Sequence, residues 1–370
     1  MRTNVRIQAE TMQDLTAEIF VAAGCSAEEG ACIGRRLVMA NLTGHDSHGV
    51  IRIPRYLQWM RDGTLVPGRT IEMVTESESF AVVDGRHGFG QSVGEQAVEL
   101  GIAMAKKNGV AIVALRNAGH LGRIGDWAEM AAEAGLVSIH FVNVAGSLLV
   151  APFGGTERRM STNPICIGVP LEGAPPLILD FATALVAEGK VLVAASGGKA
   201  LPPGALIGPD GVPSADPKTL YGEGDIHDPE GGRQGKGAIR AMGEHKGSGL
   251  ALMCEMLAGA LTGSGCAGPA KRPIANGMLS IYLSPEALAG DGAGGHAFGA
   301  EARAYLDFFT SARPAEPGGE VLVPGEPERR RRAARLTEGL ELPARAWGDI
   351  LAAAESVGLD RAAIEARAAS

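Results

Sequence analysis

The sequence has 370 residues, 45% of them hydrophobic and 21% charged, with a formal net charge of −8 at pH 7, as expected for two or three folded domains or one elaborated domain. An acidic chain without a basic face argues against nucleic acid as a partner, and no apolar run reaches the ~18 residues that span a bilayer. Five cysteines without metal-type spacing and an N-terminus without a signal-peptide pattern predict a soluble cytoplasmic protein with reduced thiols.

The first part of the sequence predicts three helices. Ser26 and Glu29 have the spacing of a capping box and start the second helix. Pro54 suits the first turn of the third helix, which Gly63 ends. The first helix covers residues 9–24, where apolar side chains recur at helical spacing: Met12, Leu15, Ile19 and Phe20.

A polar segment, Gly44-His45-Asp46-Ser47-His48-Gly49-Val50, lies between the second and third helices and is followed by Arg52. Histidine is well suited to move a proton near neutral pH, and arginine offers a planar fork that matches a carboxylate. The pair His48 and Arg52 therefore indicates a substrate whose reacting carbon neighbours a carboxylate, which describes a 2-hydroxy or 2-oxo acid. Taken singly, the other polar residues of the segment are more often turn residues than catalytic ones.

The next part of the chain alternates between strand and helix patterns. Apolar strands are predicted at 80–85, 110–115 and 137–142, with helices at 94–107 and 126–134 between them. Such alternation predicts an α/β sheet that is at least partly parallel and is covered by helices.

Glycines at 119, 122 and 125 lie between a predicted strand and a predicted helix, together with His120 and Arg123. This position suits phosphate binding, but the spacing is not G-x-G-x-x-G, and glycine spacing alone is weak evidence. A turn-capping His120 and a solvated Arg123 explain the same residues equally well.

Two further strands are predicted at 165–170 and 177–183, and the second one ends with Asp180 and Thr183. Functional polar groups often lie at the ends of buried strands in α/β proteins. The end of this second strand is therefore a candidate site.

Residues 196–243 are dense in glycine, proline and aspartate, which predicts a long loop. His245 and Lys246 follow it, ahead of a helix at 250–261 that is apolar almost all round and is expected in the core. A His-Lys pair at a helix N-terminus suits an anion such as a phosphate, although an ordinary exposed cap explains the pair slightly better on its own.

The last part of the chain is predicted to hold one strand and three helices. The strand covers Met278–Leu283, with Asn276 just before it. Four consecutive arginines, Arg329–Arg332, are expected on a solvated helix face. The helices are predicted at about 298–311, 343–357 and 360–369.

The segment Asn41–Val50 resembles the signature of the malate/L-lactate dehydrogenase family, which is unrelated to the Rossmann-type lactate and malate dehydrogenases. The resemblance extends over nearly the whole chain. It implies an NAD(P)-dependent oxidoreductase of 2-hydroxycarboxylates and a homodimer whose chains share the cleft. The implied fold is α/β, a non-Rossmann mixed sheet covered by helices as in L-sulfolactate and malate dehydrogenases, with helical N- and C-terminal segments. The lack of an early G-x-G-x-x-G followed by a ribose-binding acid agrees with such a fold.

Individual roles follow within this interpretation. We assign His48 as the acid/base, Arg52 as the carboxylate clamp, and His120 as a second polar group or alternative acid/base. Ala184 stands where the family's Asp-x-Ala-Thr-Ser stretch has serine, which removes one hydroxyl. The choice between NAD and NADP stays open, because the acidic-residue rule belongs to the Rossmann fold. The resemblance implies cofactor contacts at His48, Gly122, Arg123, Ile124, Ile178, Leu179, Asp180, Phe181, Ala182, His245, Asn276, Gly325, Glu326, Pro327 and Glu328.

We expect three parts along the chain. Residues 1–75 form an N-terminal helical segment that carries His48, and residues 76–320 form an α/β cofactor-binding core. Residues 321–370 form a C-terminal helical segment that packs back on this core. The 222–243 part of the predicted loop is longer than in the relatives, and the resemblance assigns no role to it.

Other functions fit part of the pattern. One is a reductase of cyclic imino acids such as piperideine-2-carboxylate, an activity that also occurs in the family. A metal-dependent hydrolase would use His45, Asp46 and His48, but ligands so close in sequence crowd one metal, and no second cluster supplies the missing ligand. A non-catalytic binding protein is a weaker alternative.

Overall fold

The computed structural model describes residues 4–195, 199–223, 233–269, 273–289 and 294–369. The N-terminal part contains the three predicted helices and a short strand. Ser26 Oγ accepts a hydrogen bond from the Glu29 N–H at 3.2 Å, which confirms the cap, whereas the Glu29 carboxylate accepts from the Gly68 N–H at 2.7 Å and does not complete the predicted capping box. The elements are β1 (Val5–Ile7), α1 (Ala9–Ala22), α2 (Ala27–Leu42) and α3 (Ile53–Arg61).

The predicted strands and helices of the next region are confirmed, with shifted bounds. The first helix begins at Gly90, four residues before its predicted start, and a Cβ at Gly90 would overlap the His120 carbonyl. This close approach packs the start of the helix against the His120 segment. The elements are β2 (Glu72–Glu76), β3 (Phe80–Asp84), α4 (Gly90–Asn108), β4 (Val110–Ala118), α5 (Gly125–Glu133), β5 (Val137–Ala145), β6 (Pro164–Leu171) and β7 (Ala174–Ala182).

The prediction of one long loop at 196–243 is only partly correct, because its described residues include short regular elements. They form a three-stranded sheet and a helical turn over a small core that includes Leu206, Leu220 and Ile239. Isolated apolar residues between glycines and prolines have no period, so the sequence pattern missed them. Residues 196–198 and 224–232 lie outside the described residues. The elements here are α6 (Glu188–Ala195), β8 (Leu206–Ile207), β9 (Pro213–Ser214), α7 (Lys218–Tyr221) and β10 (Ala238–Ile239).

The remaining elements include the predicted strand and C-terminal helices. Arg330, Arg331 and Arg332 are exposed on the helix Glu326–Glu338, as predicted, whereas Arg329 is half-buried and donates to the Pro176 carbonyl at 3.0 Å. The elements are α8 (His245–Cys254), a π-helical segment (Glu255–Ala260), β11 (Ala275–Leu283), α9 (Pro285–Leu288), α10 (Gly294–Thr310), α11 (Glu326–Glu338), β12 (Leu340–Leu342), α12 (Ala344–Glu355) and α13 (Arg361–Ala369).

The main sheet has seven strands in the order β2-β3-β4-β11-β5-β6-β7. Strands β3 and β4 are parallel, and every other neighbouring pair within this sheet is antiparallel. The late strand β11 lies between β4 and β5, which are adjacent strands along the chain. The sheet is therefore mixed, as predicted, and it does not have the parallel order of a Rossmann fold.

Two large hydrophobic clusters accompany the small core already described. One joins the N- and C-terminal helices and includes Phe20, Tyr56 and Trp347. The other lies between the main sheet and its helices and includes Trp127 and Tyr282. The predicted boundaries at residues 75 and 320 stay predictions.

The helix predicted at 250–261 begins at His245 and becomes π-helical at Glu255. Its expected place in the core is only partly correct, because Leu252, Met256 and Leu261 are 49%, 42% and 66% exposed. The polar inner side is anchored by the buried Glu255 carboxylate, which accepts hydrogen bonds from two asparagine side chains. Among the described residues, no helix combines the length and apolar character that crossing a membrane requires.

Candidate active site

The His48 segment consists of two short 3-10 turns, Asp46–His48 and Val50–Arg52, between α2 and α3. Asn41, on α2, accepts a hydrogen bond from the Val50 N–H at 2.8 Å. A Cβ at Gly49 would overlap this Asn41 side chain, so the approach requires glycine. These contacts set the path of the backbone that carries His48.

His45 and Asp46 connect the segment to α11. Asp46 accepts from Arg335 Nη1 at 2.7 Å and from Asn41 Nδ2 at 2.8 Å. His45 Nε2 lies 3.8 Å from the Glu328 carboxylate. Both side chains are therefore engaged in holding the segment in place, in agreement with their interpretation as local structural residues.

The structure brings His48, Arg52 and His120 together. His48 Nδ1 lies 2.9 Å from Ser47 Oγ, and Arg52 Nε donates to the Ser47 carbonyl at 2.6 Å. The rings of His48 and His120 stack with their centroids 5.3 Å apart. Residues from two distant segments therefore form one cluster of two imidazoles and a guanidinium.

Two residues that the sequence analysis did not assign to the site support His120. The Tyr56 hydroxyl lies 2.6 Å from His120 Nδ1, and Gln91 Nε2 donates to this hydroxyl at 3.0 Å. Tyr56 follows Arg52 by four residues, and this spacing puts two side chains on the same face of a helix. That spacing was the available signal for Tyr56. Gln91 comes from α4 and has no comparable signal.

This chain of hydrogen bonds selects one tautomer of His120. Gln91 Nε2 also faces the His120 carbonyl at 3.3 Å, and a carbonyl can only accept, so the amide nitrogen must point this way. The Tyr56 hydroxyl accepts from Gln91, and among the described residues its own proton has no acceptor other than His120 Nδ1, so Tyr56 is the donor of this pair. In neutral His120 the proton consequently resides on Nε2, the nitrogen left to donate to a bound molecule.

Burial keeps the imidazoles of His48 and His120 and the phenol of Tyr56 neutral near pH 7. It lowers the pKa of His48 to about 3, with the charges of Arg52 and His45 as further causes. It also lowers the pKa of His120 well below the usual value, with a further contribution from Arg52. Burial raises the pKa of Tyr56 to about 12. A bound anion would offset the positive charge of Arg52 and favour protonation of the imidazoles.

A second group of predicted residues converges on the end of β7. Asp180 Oδ2 accepts from the Gly125 N–H at 2.7 Å, which joins β7 to the start of α5. The Ile178 N–H donates to the Pro324 carbonyl at 3.3 Å, and Gly325, in the left-handed region at φ 86°, packs against the same strand. The 122–124, 178–182 and 325–328 segments are thus neighbours.

Two predicted cofactor residues use their side chains to hold the 119–125 segment. Arg123 is buried and donates to Asp126 at 2.9 Å and to Glu129 at 2.8 Å, so its interpretation as a solvated charge is wrong. Asn276 accepts from the Leu121 N–H at 2.9 Å and donates to the Asn143 carbonyl at 2.8 Å. Both side chains are thus committed to hydrogen bonds within the protein.

His245 lies at the edge of this region. Its ring is exposed and meets Phe153 edge-on with the centroids 5.9 Å apart. The Met242 N–H donates to the Thr183 carbonyl at 2.9 Å, which brings the start of α8 to the end of β7. Ala184, at the position where the family has serine, is buried and pairs with Ala241.

The three residues considered as metal ligands have separate partners. Asp46 contacts Arg335 and His48 contacts Ser47, whereas His45 faces Glu328. Across the described ranges, no three His, Cys, Asp or Glu side chains are arranged to hold a metal ion. The geometry gives the hydrolase hypothesis no support.

Comparison with known proteins shows which family the chain belongs to. The sequence profile of malate/L-lactate dehydrogenases matches residues 7–351, and the chain belongs to this family. Hydroxycarboxylate dehydrogenase B of Escherichia coli (strain K12) is 36% identical over 371 residues, which cover 99% of this chain and 98% of that protein. The Pseudomonas putida Delta(1)-pyrroline-2-carboxylate/Delta(1)-piperideine-2-carboxylate reductase is 32% identical over 347 residues, with 91% and 94% coverage.

A solved structure extends the similarity to the fold. Sulfolactate dehydrogenase from Methanocaldococcus jannaschii superposes with a TM-score of 0.83 at 33% identity and covers 97% of this chain and 99% of its own. The predicted family and the predicted mixed, non-Rossmann α/β fold are confirmed. The protein is an oxidoreductase of the hydroxycarboxylate dehydrogenase family.

Proposed function

We propose that this protein is an NAD(P)-dependent oxidoreductase that interconverts a 2-hydroxycarboxylate and the corresponding 2-oxocarboxylate. The observation that carries this proposal is the stacked pair His48 and His120 beside the guanidinium of Arg52. Two imidazoles next to one guanidinium suit a substrate that needs a proton at one oxygen and a cation at a neighbouring carboxylate.

Arg52 would bind the substrate carboxylate. Its Nε is occupied by the Ser47 carbonyl, and its two terminal nitrogens have no hydrogen-bond partner within the part of the chain that the structure describes. The single anchor orients the guanidinium and leaves its outer edge available for a two-pronged contact with a carboxylate.

The two histidines would act at the substrate oxygen on C2. His48, whose Nδ1 is held by Ser47, is the proposed acid/base, and His120 would donate a hydrogen bond from Nε2 to the same oxygen. Both groups have a lowered pKa without ligand. The substrate carboxylate would raise it, which couples substrate binding to proton uptake in the direction of reduction.

The convergence at the end of β7 fits a nicotinamide cofactor, NAD or NADP. Gly122 has φ 74°, and a Cβ there would meet only Gln91 Nε2, at 3.4 Å, so the backbone remains open to a ligand. We propose that the Gly122–Ile124, Ile178–Ala182 and Gly325–Glu328 segments hold the cofactor, with His245 at the edge. The bound cofactor supplies or accepts the hydride at C2.

The test measures binding and turnover separately. Calorimetry should detect NADH or NADPH binding to the purified protein, and either cofactor should be oxidised with a panel of 2-oxo acids. If neither cofactor binds at millimolar concentration, the proposal fails.

A second candidate is the reduction of cyclic imino acids. The similarity to the Pseudomonas putida reductase favours it, because the same arginine and histidines would suit an imine next to a carboxylate. Adding piperideine-2-carboxylate and pyrroline-2-carboxylate to the panel separates the two. Turnover of cyclic imines without turnover of 2-oxo acids would replace the first proposal by the second.

The exposed apolar side chains of α8 and the π-helical segment support the proposal of a homodimer. Leu252, Met256 and Leu261 are too exposed for a monomer core, and a second chain would bury them. Tyr305 and Phe308 on α10 are also exposed, at 63% and 72%.

A further inference from the structure

A contact between α6 and the His48 segment brings a charged pair close to the proposed substrate carboxylate site. Gly189 packs on Ser47, and a Cβ at Gly189 would lie 2.7 Å from Ser47 Cβ. Glu188, immediately before this glycine, is therefore adjacent to the segment that holds His48 and Arg52.

The described part of the 199–243 region provides a cation at this position. Arg233 binds the Glu188 carboxylate through two bonds, from Nε at 2.5 Å and from Nη2 at 2.8 Å. Arg158 holds the backbone before and after Arg233 in place, because it donates to the carbonyls of Leu220 at 3.0 Å and Gly237 at 2.7 Å. The placement of Arg233 is thus built from several hydrogen bonds.

Helix α3 provides another cation. Arg55 follows Arg52 by three residues, so both side chains leave the helix on the same face. Within the described residues, Arg55 makes no hydrogen bond and no ion pair that would neutralise it. Arg55 is exposed, the charges that act on it are those of Arg52, Arg233 and Glu188, and partial desolvation together with the two arginines lowers its pKa.

The charges of Arg52, Arg233 and Glu188 all act on Arg55, and Glu188 is the single carboxylate among these four side chains. Like charges brought together cost free energy unless a counterion joins them. One anion would be the substrate carboxylate at Arg52. The guanidinium of Arg55 and the remaining donor of Arg233 are left for another anion.

We propose that Arg55 and Arg233 bind a second anionic group of the substrate, so that the preferred substrates are dianionic 2-oxo acids and the corresponding 2-hydroxy acids. This inference rests on the proposed function. A carboxylate or a sulfonate on the substrate side chain has the required chemistry. Helix α3 would position Arg55 for this second group, and the segment that Arg158 contacts would position Arg233.

The first experiment compares matched substrates. 2-Oxoglutarate and 2-oxopentanoate differ by the one charge of the side-chain carboxylate, as do oxaloacetate and 2-oxobutyrate, and the second member of each pair is a monoanion that keeps the C1 carboxylate. We expect kcat/KM to be about 10- to 100-fold higher for the dianionic member of at least one pair, as for a hydrogen bond to a charged group. 3-Sulfopyruvate compared with oxaloacetate tells whether the second group is a sulfonate or a carboxylate.

The second experiment assigns the preference to residues. Arg55→Gln should remove most of it by raising KM for the dianion, with kcat/KM for the monoanionic acid within about twofold of the original. Arg233→Gln should act in the same direction, and its melting temperature reports any loss of folding. Arg61→Gln, an exposed change on the same helix, is the matched control and should leave the preference intact.

The outcomes separate the inference from the proposed function. Two outcomes overturn the inference alone. One is faster turnover of the monoanionic acids, and the other is an equal loss of kcat/KM for both members of a pair in Arg55→Gln. A changed preference between NADH and NADPH in Arg55→Gln, with the acid preference intact, also overturns it, because the cluster would then serve a cofactor phosphate. Absence of turnover with every acid contradicts the proposed function as well.

Discussion

At the scale of single residues, the groups that would meet the substrate are held by few hydrogen bonds and so remain available to bind it. Arg52 has one anchor, through Nε, whereas Tyr56 and Gln91 align His120 from two different helices. The residues that would meet the substrate therefore keep free hydrogen-bonding edges, and the Tyr56 hydroxyl and Gln91 Nε2 behind them are engaged in hydrogen bonds.

Arg52 provides the first prediction. Arg52→Ala should lower kcat/KM for the 2-oxo acid by about 10- to 100-fold, the usual value of a charge-assisted hydrogen bond. Arg52→Lys keeps the charge but loses the planar fork, so its loss should be smaller. Steady-state kinetics and NADH titration check this, with Arg61→Ala as control. A lower melting temperature with normal kinetics of the folded fraction would contradict the proposed role.

His48 provides the second prediction. His48→Ala should reduce kcat by about 10²–10⁴, the usual contribution of a general acid/base, and remove the limb of the pH–rate profile that reports this proton. Some loss of cofactor affinity is also expected. A near-normal kcat with an unchanged limb of the pH–rate profile would assign the acid/base role to His120 instead.

Tyr56 provides the third prediction, and it concerns positioning. Tyr56→Phe removes the donor to His120 Nδ1, so His120 can adopt either tautomer. We expect kcat to fall about 2- to 10-fold, as for loss of one neutral hydrogen bond, and the pH profile to shift. A Tyr56→Phe variant with a lower melting temperature but unchanged kcat and pH profile would reduce Tyr56 to a packing residue.

At the scale of elements, the central strands combine apolar packing with a buried histidine. His140 on β5 contacts Ser280 Oγ at 2.9 Å through Nδ1 and Ser138 Oγ at 3.0 Å through Nε2. Burial lowers the pKa of His140 to about 3. The folded protein therefore holds this ring neutral, and lowering the pH should destabilise the folded protein.

The fourth prediction follows from this pKa. The unfolded chain takes up a proton near pH 6.5 and the folded chain only near pH 3, so stability falls as the pH decreases between these values. At pH 5 the loss from His140 is about 2 kcal/mol. His140→Gln keeps a hydrogen-bonding side chain without this titration, so its melting temperature should fall less between pH 7 and pH 5. An unchanged slope in His140→Gln would contradict the prediction.

At the scale of the whole molecule, the N- and C-terminal helices share one hydrophobic cluster and together hold the His48 segment. Arg335 and Glu328 reach this segment from α11, and Arg335 lies 289 residues after its partner Asp46. The site therefore depends on the closure of the chain ends onto each other.

The fifth prediction concerns assembly. Light scattering should give twice the mass of one chain, because a second copy would bury the apolar face around Met256. Met256→Glu should shift the population towards monomer, and Val212→Glu, at another exposed apolar position, should not. A wild-type monomer at micromolar concentration would contradict the homodimer.

The sequence alone determined the elements that have a local period. The apolar repeat of α1, the cap at Ser26 and the strands at 80–85 and 137–142 were predicted because each depends on neighbours within a few residues. The His48–Arg52 pair was also visible, since both residues lie in one short segment.

The tertiary structure decided what depends on distant contacts. It placed β11 between β4 and β5, gave the 196–243 region a small core, and joined Tyr56, Gln91 and His120 in one chain of hydrogen bonds. It also buried Arg123 against two carboxylates. Burial and pairing are properties of the packed molecule, so no pattern of nearby residues contains them.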